Sequence, residues 1–529
     1  MIAPSLARQA TLVAALRDPA CFPHPVGRIE VIETHISWVI LTGGLAYKIK
    51  KALDLGFLDF TTLARREHFC REELRLNRRL APDLYLEVVP ITGDAEAPMI
   101  AGAGEPVEWA VQMREFERGS ELSRLLPTGA VTPAITDEIA DVVAAFHATC
   151  ARDTAVDGYG APEAVRGPIR NNLAALGRRL EDPGMRATLE RLRDWSEAEH
   201  QRLVRTLDKR RTDGFVREGH GDLHLGNIAL HGGQILIFDC IEFNPRLRWV
   251  DVMSEIAFVV MDLSRCGRPD LARRSLNRYL ERTGDYAGLA VLRYYLVYRA
   301  LVRATVAAIQ AEQTTAKTED DKIATIRAYL ELAEDLTRTA PLRLLITHGV
   351  AGAGKTTVTS ALLETVDLVR IRSDVERKRL AGLAAESRSG SAVDAGLYTR
   401  EATQRSYERL RQLAETVLRA GYSVVLDATF LARSERDACR ALARATGAAF
   451  RIVACRAHPT ALRERVVTRE QAGQDASEAG LPVLERQLDR ATELCDDELP
   501  DAVVIDTSQP VDPRALAAAL GIAPSASVD

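Results

Sequence analysis

Two rhythms of apolar positions divide the chain. Beyond Ala340-Pro341, short apolar runs at Leu342–Thr347, Leu368–Ile371, Ser423–Leu426, Phe450–Ala454 and Val503–Ile505 alternate with stretches whose apolar residues return every three or four positions. Short runs of this kind read as buried strands, and their alternation with helices predicts a doubly wound parallel sheet that binds ligands at the carboxyl ends of its strands. Upstream the rhythm differs. Residues 28–50 and 86–116 read as strands around a helix, and from about Thr132 the pattern is helical, at Ile135–Ala151, Ile169–Leu207, Val250–Leu263, Leu271–Thr283 and, in pieces, Tyr286–Leu336. The expected domains are 1–338, with a small lobe to about 116 and a helical lobe from 117, and 339–529.

The turn after the first late strand is His348-Gly-Val-Ala-Gly-Ala-Gly-Lys-Thr-Thr357, a P-loop, or Walker A, pattern between a strand and a helix. Gly349, Gly352 and Gly354 let backbone N–H groups surround phosphate oxygens, Lys355 supplies a point charge, and Thr356, followed by Thr357, offers a hydroxyl to Mg²⁺. Directly after the second late strand, Asp374 and Arg377 stand one helical turn apart at the phosphate crevice. A plain helix cap with a surface arginine is the alternative there. The segment resembles the acceptor site of polynucleotide kinase-like, zeta toxin-like and gluconate kinase-like P-loop kinases, in which the Asp takes the proton of an attacking hydroxyl. Val424-Val-Leu-Asp-Ala-Thr429 resembles a Walker B strand, which would put Asp427 on Mg²⁺ directly or through water, with a plain helix N-cap as the alternative, and Arg465 and Arg469 have a spacing similar to lid arginines that close on ATP. A solvated helix face explains those two arginines nearly as well.

A second constellation precedes the first. His220-Gly-Asp-Leu-His-Leu-Gly-Asn227, followed by Gln234-Ile-Leu-Ile-Phe-Asp239, has the spacing that places one carboxylate by an acceptor hydroxyl and an Asn five positions on by a metal. It resembles the catalytic loop of the protein-kinase-like superfamily, most closely its aminoglycoside phosphotransferase and choline kinase branch. By that resemblance Asp222 is the base, and Asn227 and Asp239 hold Mg²⁺. The A-x-K arrangement of Ala46-Tyr-Lys48 offers the strand cation for the α- and β-phosphates, with Lys50 on the same face as a substitute. Glu72 and Glu73 both offer a carboxylate partner, and Glu73 is preferred, since Glu73, Leu76, Asn77 and Leu80 fall on one helical face. Glu108–Phe116, with Met113, resembles the hinge strand that meets adenine. The Gly-rich loop of protein kinases is missing, because only Gly43 and Gly44 mark the preceding hairpin, which argues against a protein kinase more than against a kinase.

Composition sharpens this reading. The chain has only eight lysines, and five of them, Lys48, Lys50, Lys51, Lys355 and Lys378, lie in or beside the two constellations. An ammonium is not interchangeable with a guanidinium at a phosphate. With 529 residues, a net charge of −5 and a pI near 6.1, a broad nucleic-acid or anionic-membrane surface is disfavoured. Eight cysteines without C-x-x-C pairs, no membrane-length apolar run and no basic region ahead of an apolar stretch at the N-terminus point to a cytoplasmic protein. Two segments look mobile, around Ala381–Ala395 and Ala523–Asp529.

Over most of its length the chain resembles bacterial fusions of an aminoglycoside phosphotransferase-like domain with a P-loop kinase domain, including Phe57–Thr62, Ile241-Glu-Phe-Asn244 and Arg372–Lys378. That resemblance implies a mixed α/β and α+β chain, with a bilobal protein-kinase-like fold before a P-loop NTPase fold. It also implies ATP and Mg²⁺ as cofactors and small-molecule alcohols as acceptors, but no drug substrate, since a fold-derived family name does not establish one. The expectation is a bifunctional phosphotransferase. The alternatives are a nucleotide-binding regulator in one half, or a nucleic-acid 5′-hydroxyl kinase in the P-loop half. Tyr295, Arg299 and Arg303 share one helical face and would suit an anionic acceptor if that face lined the cleft.

Overall fold

The computed structural model describes residues 4–56, 58–153, 158–313, 318–385, 387, 399–472, 477–490 and 493–522. Phe57, most of the 381–395 stretch and the tail 523–529 lie outside them. The chain forms two compact units, Met1–Pro168 with Leu207–Asp262, and Ile169–Thr206 with Leu263–Asp529.

The first unit holds a six-stranded antiparallel sheet in the order β1-β2-β3-β6-β4-β5, from β1 (Glu30–Glu33), β2 (Ser37–Leu41), β3 (Leu45–Lys50), β4 (Tyr85–Gly93), β5 (Pro98–Ile100) and β6 (Glu108–Arg114). Alternation along β3 sorts its side chains onto two faces. Tyr47 and Ile49 enter an apolar cluster with Trp38, Ile40 and Val89, so Lys48 and Lys50 project from the other face. Helix α1 (Leu63–Asn77) begins at Thr62, whose hydroxyl accepts from the Arg65 N–H at 3.2 Å, and buries Glu73, Leu76 and Asn77. Gly43 and Gly44 connect β2 to β3; the β1–β2 turn, Thr34–Ile36, has no glycine.

Four short strands frame the loop at 220–227: β7 (Val216–Glu218), β8 (Ile228–His231), β9 (Gln234–Ile237) and β10 (Trp249–Asp251). Antiparallel pairing joins β7 to β10 and β8 to β9. Helix α2 (Val252–Arg265) follows and lends two carboxylates, Glu255 and Asp262, to the loop.

In the second unit five strands, β11 (Arg343–His348), β12 (Val369–Arg372), β13 (Val424–Asp427), β14 (Ala449–Arg456) and β15 (Ala502–Asp506), pair in parallel in the order β12-β13-β11-β14-β15. The five expected strands are all present. Asp427 ends β13, and the segments leaving the carboxyl ends of its neighbours β12 and β11 carry Asp374 and the P-loop.

Strand β12 is an edge, and an uncovered edge leaves backbone groups open. Helix α3 (Pro269–Thr283) covers it: the Asn277 amide donates to the Leu368 carbonyl at 3.0 Å and accepts from the Arg370 N–H at 2.8 Å. Arg273 of α3 donates to the Leu363 and Glu364 carbonyls at 2.9 and 2.6 Å, capping the C-terminal end of α4 (Lys355–Thr365). Glu281 completes the contact with Arg372, at 3.1 Å. By sequence pattern α3 precedes the break at Ala340-Pro341; by compactness it belongs with the parallel sheet.

Candidate active sites

In the first unit the structure brings together residues that are far apart in sequence. Lys48 Nζ lies 2.7 Å from Glu73 Oε1 and 2.6 Å from Asp239 Oδ1. Lys50 shares the same glutamate, at 2.6 Å from Oε2, and also pairs with Glu242. The two lysines are not equivalent. Lys50 is fully buried over the Phe60 ring, whereas Lys48 faces Asp239, whose side chain is 47% exposed. Lys50 therefore supports Glu73 from behind, and Lys48 presents its ammonium to the site. Burial works against the charge on Lys48, but Asp239 and Glu73 outweigh it and hold its pKa well above the ordinary value. Burial likewise opposes the Glu73 carboxylate, yet the two ammonium groups bring it down to about 2. Glu72, the alternative partner, is engaged by Arg75 at 2.9 Å.

The loop 220–227 is held from its backbone. The N–H groups of His220 and Gly221 donate to Glu255, at 2.8 and 2.5 Å, and the Leu225 N–H donates to Asp262 at 3.0 Å. Burial would raise the Glu255 carboxyl, but His147, with Nε2 at 3.1 Å, and the loop amides hold it at about 2. His220 Nδ1 accepts from the Asp222 N–H at 3.2 Å, and Nε2 lies 2.9 Å from the Phe238 carbonyl, which puts the proton on Nε2. Burial keeps that ring neutral. So fixed, the loop presents Asp222 with its carboxylate partly exposed, and Asn227 Nδ2 donates to the Asp222 carbonyl at 3.0 Å. Asp239 has φ +65°, a backbone state that non-glycine residues rarely occupy, and the Tyr85 hydroxyl accepts from its N–H at 3.2 Å. Met113 sits on β6 opposite Ala46, partly buried against the apolar cluster of Cys70, Leu84, Tyr85 and Val111.

In the second unit the site is mostly backbone. Gly349 and Gly352 have φ +144° and +78°; a Cβ there would stand 2.5 Å from the Cys455 carbonyl oxygen and 2.7 Å from that of Leu462. Only glycine lets the loop lie this close to β14 and the following helix α6 (Pro459–Ala472). Gly354 precedes the first turn of α4, which starts at Lys355 and carries Thr356 and Thr357. Lys355 Nζ donates to the Val350 carbonyl at 2.8 Å; burial lowers its pKa, and the carboxylate of Asp427 opposes the shift. Asp427 ends β13 and accepts from the Thr359 hydroxyl at 3.2 Å. Asp374 opens helix α5 (Ser373–Leu380), with Arg377 at 3.4 Å. Burial would raise this carboxyl, and the guanidiniums of Arg377 and Arg372 keep it below the usual range.

Several residues lie differently from expectation. Arg465 donates to Thr507 Oγ1 and to the Thr507 carbonyl, at 3.0 and 2.7 Å, and Arg469 to the Ala479 carbonyl at 2.6 Å. Arg465 also donates to the Gly352 carbonyl of the P-loop at 3.3 Å, so it stands at the loop while both expected lid arginines spend donors on the protein's own oxygens. Tyr295 and Arg299 are 2% and 3% exposed, so their helix face is packed and does not meet a solvated acceptor. Glu255, Asp262 and Glu281 lie beyond what the sequence marks, because nothing local identifies a carboxylate that acts on a distant loop or strand.

The donor sets fit Mg²⁺ bound with nucleotide phosphates. Among the described residues no three His, Cys, Asp or Glu side chains converge on a metal position. Mg²⁺ is usually held by one or two protein oxygens plus phosphate and water, and Asn227 with Asp239, or Thr356 with Asp427, are sets of that size. At the first site two ammonium groups face three carboxylates, which leaves room for a divalent cation. Among the described residues no helix is long and apolar enough to cross a membrane.

Residues 58–295 match the Phosphotransferase enzyme family and residues 344–494 match the AAA domain. Of solved structures, a choline/ethanolamine kinase family protein from Mesorhizobium loti is 13% identical and covers 63% of this chain and 98% of its own, at a TM-score of 0.36. Chaetomium thermophilum Kti12, in complex with ADP-AlF3, is 17% identical and covers 31% of this chain and 89% of its own, at a TM-score of 0.24. Across nearly the whole length the chain is similar to "Uncharacterized protein Rv2004c" of Mycobacterium tuberculosis and "Uncharacterized protein Mb2027c" of Mycobacterium bovis. Each is 31% identical over 476 residues, which is 89% of this chain and 93% of the relative. The chain therefore belongs to the same family as these mycobacterial proteins, and it is a kinase that joins an aminoglycoside phosphotransferase-like domain to a P-loop kinase domain.

Proposed function

We propose that both halves transfer the γ-phosphoryl group of ATP to hydroxyl groups of small molecules, each in its own site. What supports this reading is one recurring set: a phosphate-binding lysine, a carboxylate suited to Mg²⁺ and a second carboxylate for the acceptor. In the first unit these are Lys48, Asp239 and Asp222; in the second they are Lys355, Asp427 and Asp374.

In the first site Glu73 fixes Lys48 where it can meet the α- and β-phosphates, Asn227 and Asp239 hold the metal, and Asp222 accepts or orients the acceptor proton. Met113 lies on the strand that would meet the adenine. In the second site the backbone from Gly349 to Gly354 cradles the phosphates, with Lys355, Thr356 and Thr357 at the helix start. Asp427 completes the metal set. Asp374, with Arg377 beside it, serves the acceptor. Bound Mg²⁺ would neutralise charge on the phosphates, and the protein's own groups position and deprotonate the alcohol.

Single-turnover consumption of γ-phosphate, measured with a metabolite mixture, tests the reading. Asp222→Ala and Asp374→Ala should each lower the rate of their own half, and unchanged rates in both would remove the assignment.

A further inference from the structure

Residues 477–490 reach the P-loop site at three points. Ser477 is hydrogen-bonded to the Asp374 carboxylate, Glu478 pairs with Lys378 of α5 at 3.2 Å, and Gln487, on helix α7 (Leu481–Arg490), accepts from the Ala351 N–H of the P-loop at 2.7 Å. Leu484 of α7 is fully buried in the core of the parallel-sheet unit, so the segment is anchored as well as attached.

The contact at Asp374 is chemically the most informative. A carboxylate accepts hydrogen bonds only, so the Ser477 hydroxyl must be the donor. A serine hydroxyl that donates to a candidate base already stands as a phosphoryl acceptor must stand. Lys355 is close enough to help keep Asp374 ionised, which places the hydroxyl, the base and the phosphate-binding ammonium within one site. The nearby Thr359 hydroxyl is committed differently, donating to Asp427 or to the Thr356 carbonyl.

We propose that Ser477 is an internal phosphoryl acceptor of the P-loop kinase, so that the second half phosphorylates its own chain at this position. The proposal rests on the reading of Asp374 as the acceptor base. In the step, Ser477 Oγ forms a bond to the γ-phosphorus of ATP, the bond from that phosphorus to the β–γ bridging oxygen breaks, and ADP leaves with its electron pair. The hydroxyl proton goes to Asp374. The product carries a dianionic group among the carboxylates of Asp374 and Glu478 and the cations Arg377, Arg372, Lys355 and Lys378.

The full chain carrying Asp222→Asn, so that the first half is silent, is incubated with ATP and Mg²⁺ and followed by intact mass and peptide fragmentation. The expected result is one phosphoryl group per chain, on Ser477, formed at a first-order rate that does not change with protein concentration. It is absent in Ser477→Ala and Asp374→Asn, and it is moved to threonine in Ser477→Thr, which keeps the hydroxyl. If ATP binds and is consumed in an Asp374-dependent way while Ser477 stays unmodified, the internal acceptor is refuted and the base assignment survives. If Ser477→Ala only speeds transfer to external alcohols, Ser477 is a substrate mimic that blocks the site, and the proposal is again refuted. If Asp374→Asn changes neither consumption nor modification, the base assignment itself fails.

Discussion

The two sites hold the same kinds of groups by opposite means. In the first, charged side chains from three distant segments meet: Lys48 and Lys50 on β3, Glu73 on α1, and Asp239 and Glu242 after β9. In the second, one short loop wraps its own backbone, and its glycines permit contacts that any side chain would block. A site built from buried charges is vulnerable to the loss of a single charge, because the partner left behind has no water to turn to. A site built from backbone is vulnerable to the gain of a single methyl group. The comparison predicts which kind of substitution each half tolerates.

The largest expected effect concerns independence of the two chemistries. Asp222→Asn and Asp374→Asn should each lower turnover of their own half by about two to four orders of magnitude, the range for removing a general base. Each should leave the other half at its original rate. Rates of γ-phosphate transfer in the two single variants and the double variant decide it. If either substitution silences both halves, the two sites are not separate.

Next in size is the buried charge under the first site. Lys50→Met leaves Glu242 without its ammonium partner in a fully packed position, which should destabilise the first unit by about 3–5 kcal/mol, as for other broken buried pairs. The double variant Lys50→Met with Glu242→Gln should recover part of that loss, since it removes the stranded carboxylate. Urea unfolding of all three variants measures it. A change below about 1 kcal/mol in the single variant would mean that the ion pairs are not what holds this site.

Legibility in the sequence follows the same division. The P-loop and all five parallel strands could be read directly, because contiguous motifs and strand periodicity are local properties. Glu73 could be chosen over Glu72 from one helical face, and the structure pairs it with Lys48. What stayed hidden acts across long separations. Glu255 and Asp262 hold a loop some 35 residues away by its N–H groups. Asn277 covers an edge strand beyond the expected domain break, and no pattern near residue 277 announces a partner near 370. Arg465 shows a mixed case: it stands at the P-loop, donating to the Gly352 carbonyl, while its guanidinium also donates to Thr507.

Acid should strain the first unit through Glu255. Its folded pKa, about 2, lies below the ordinary 4.5, so the associated stabilisation is fully present above about pH 4.5. It is lost as pH falls from there towards 2. A shift of that size corresponds to roughly 3 kcal/mol. The Glu255→Gln variant, already weakened at neutral pH, should therefore show a shallower loss of stability between pH 4.5 and 2 than the parent chain. Parallel slopes in denaturant midpoints would show that the loop 220–227 does not depend on this carboxylate.

The smallest expected effect probes the backbone-built site. Gly352 combines a φ of +78° with a Cβ position 2.7 Å from the Leu462 carbonyl oxygen, so alanine meets both an unfavourable conformation and a collision with rigid helix backbone. Strain at such positions amounts to about 1–3 kcal/mol, and α6 must either give way or displace the loop. Displacement matters more than stability, since phosphate recognition depends on where the loop N–H groups point. Gly352→Ala should thus weaken nucleotide binding to the second half by a larger factor than its unfolding energy suggests, while nucleotide binding to the first half stays at its parent value. Nucleotide titration of each half, with the other silenced at Lys48 or Lys355, separates the two. Equal weakening of both halves would show that the loop geometry is not a property of the second unit alone, and the contrast between charge-built and backbone-built sites would collapse.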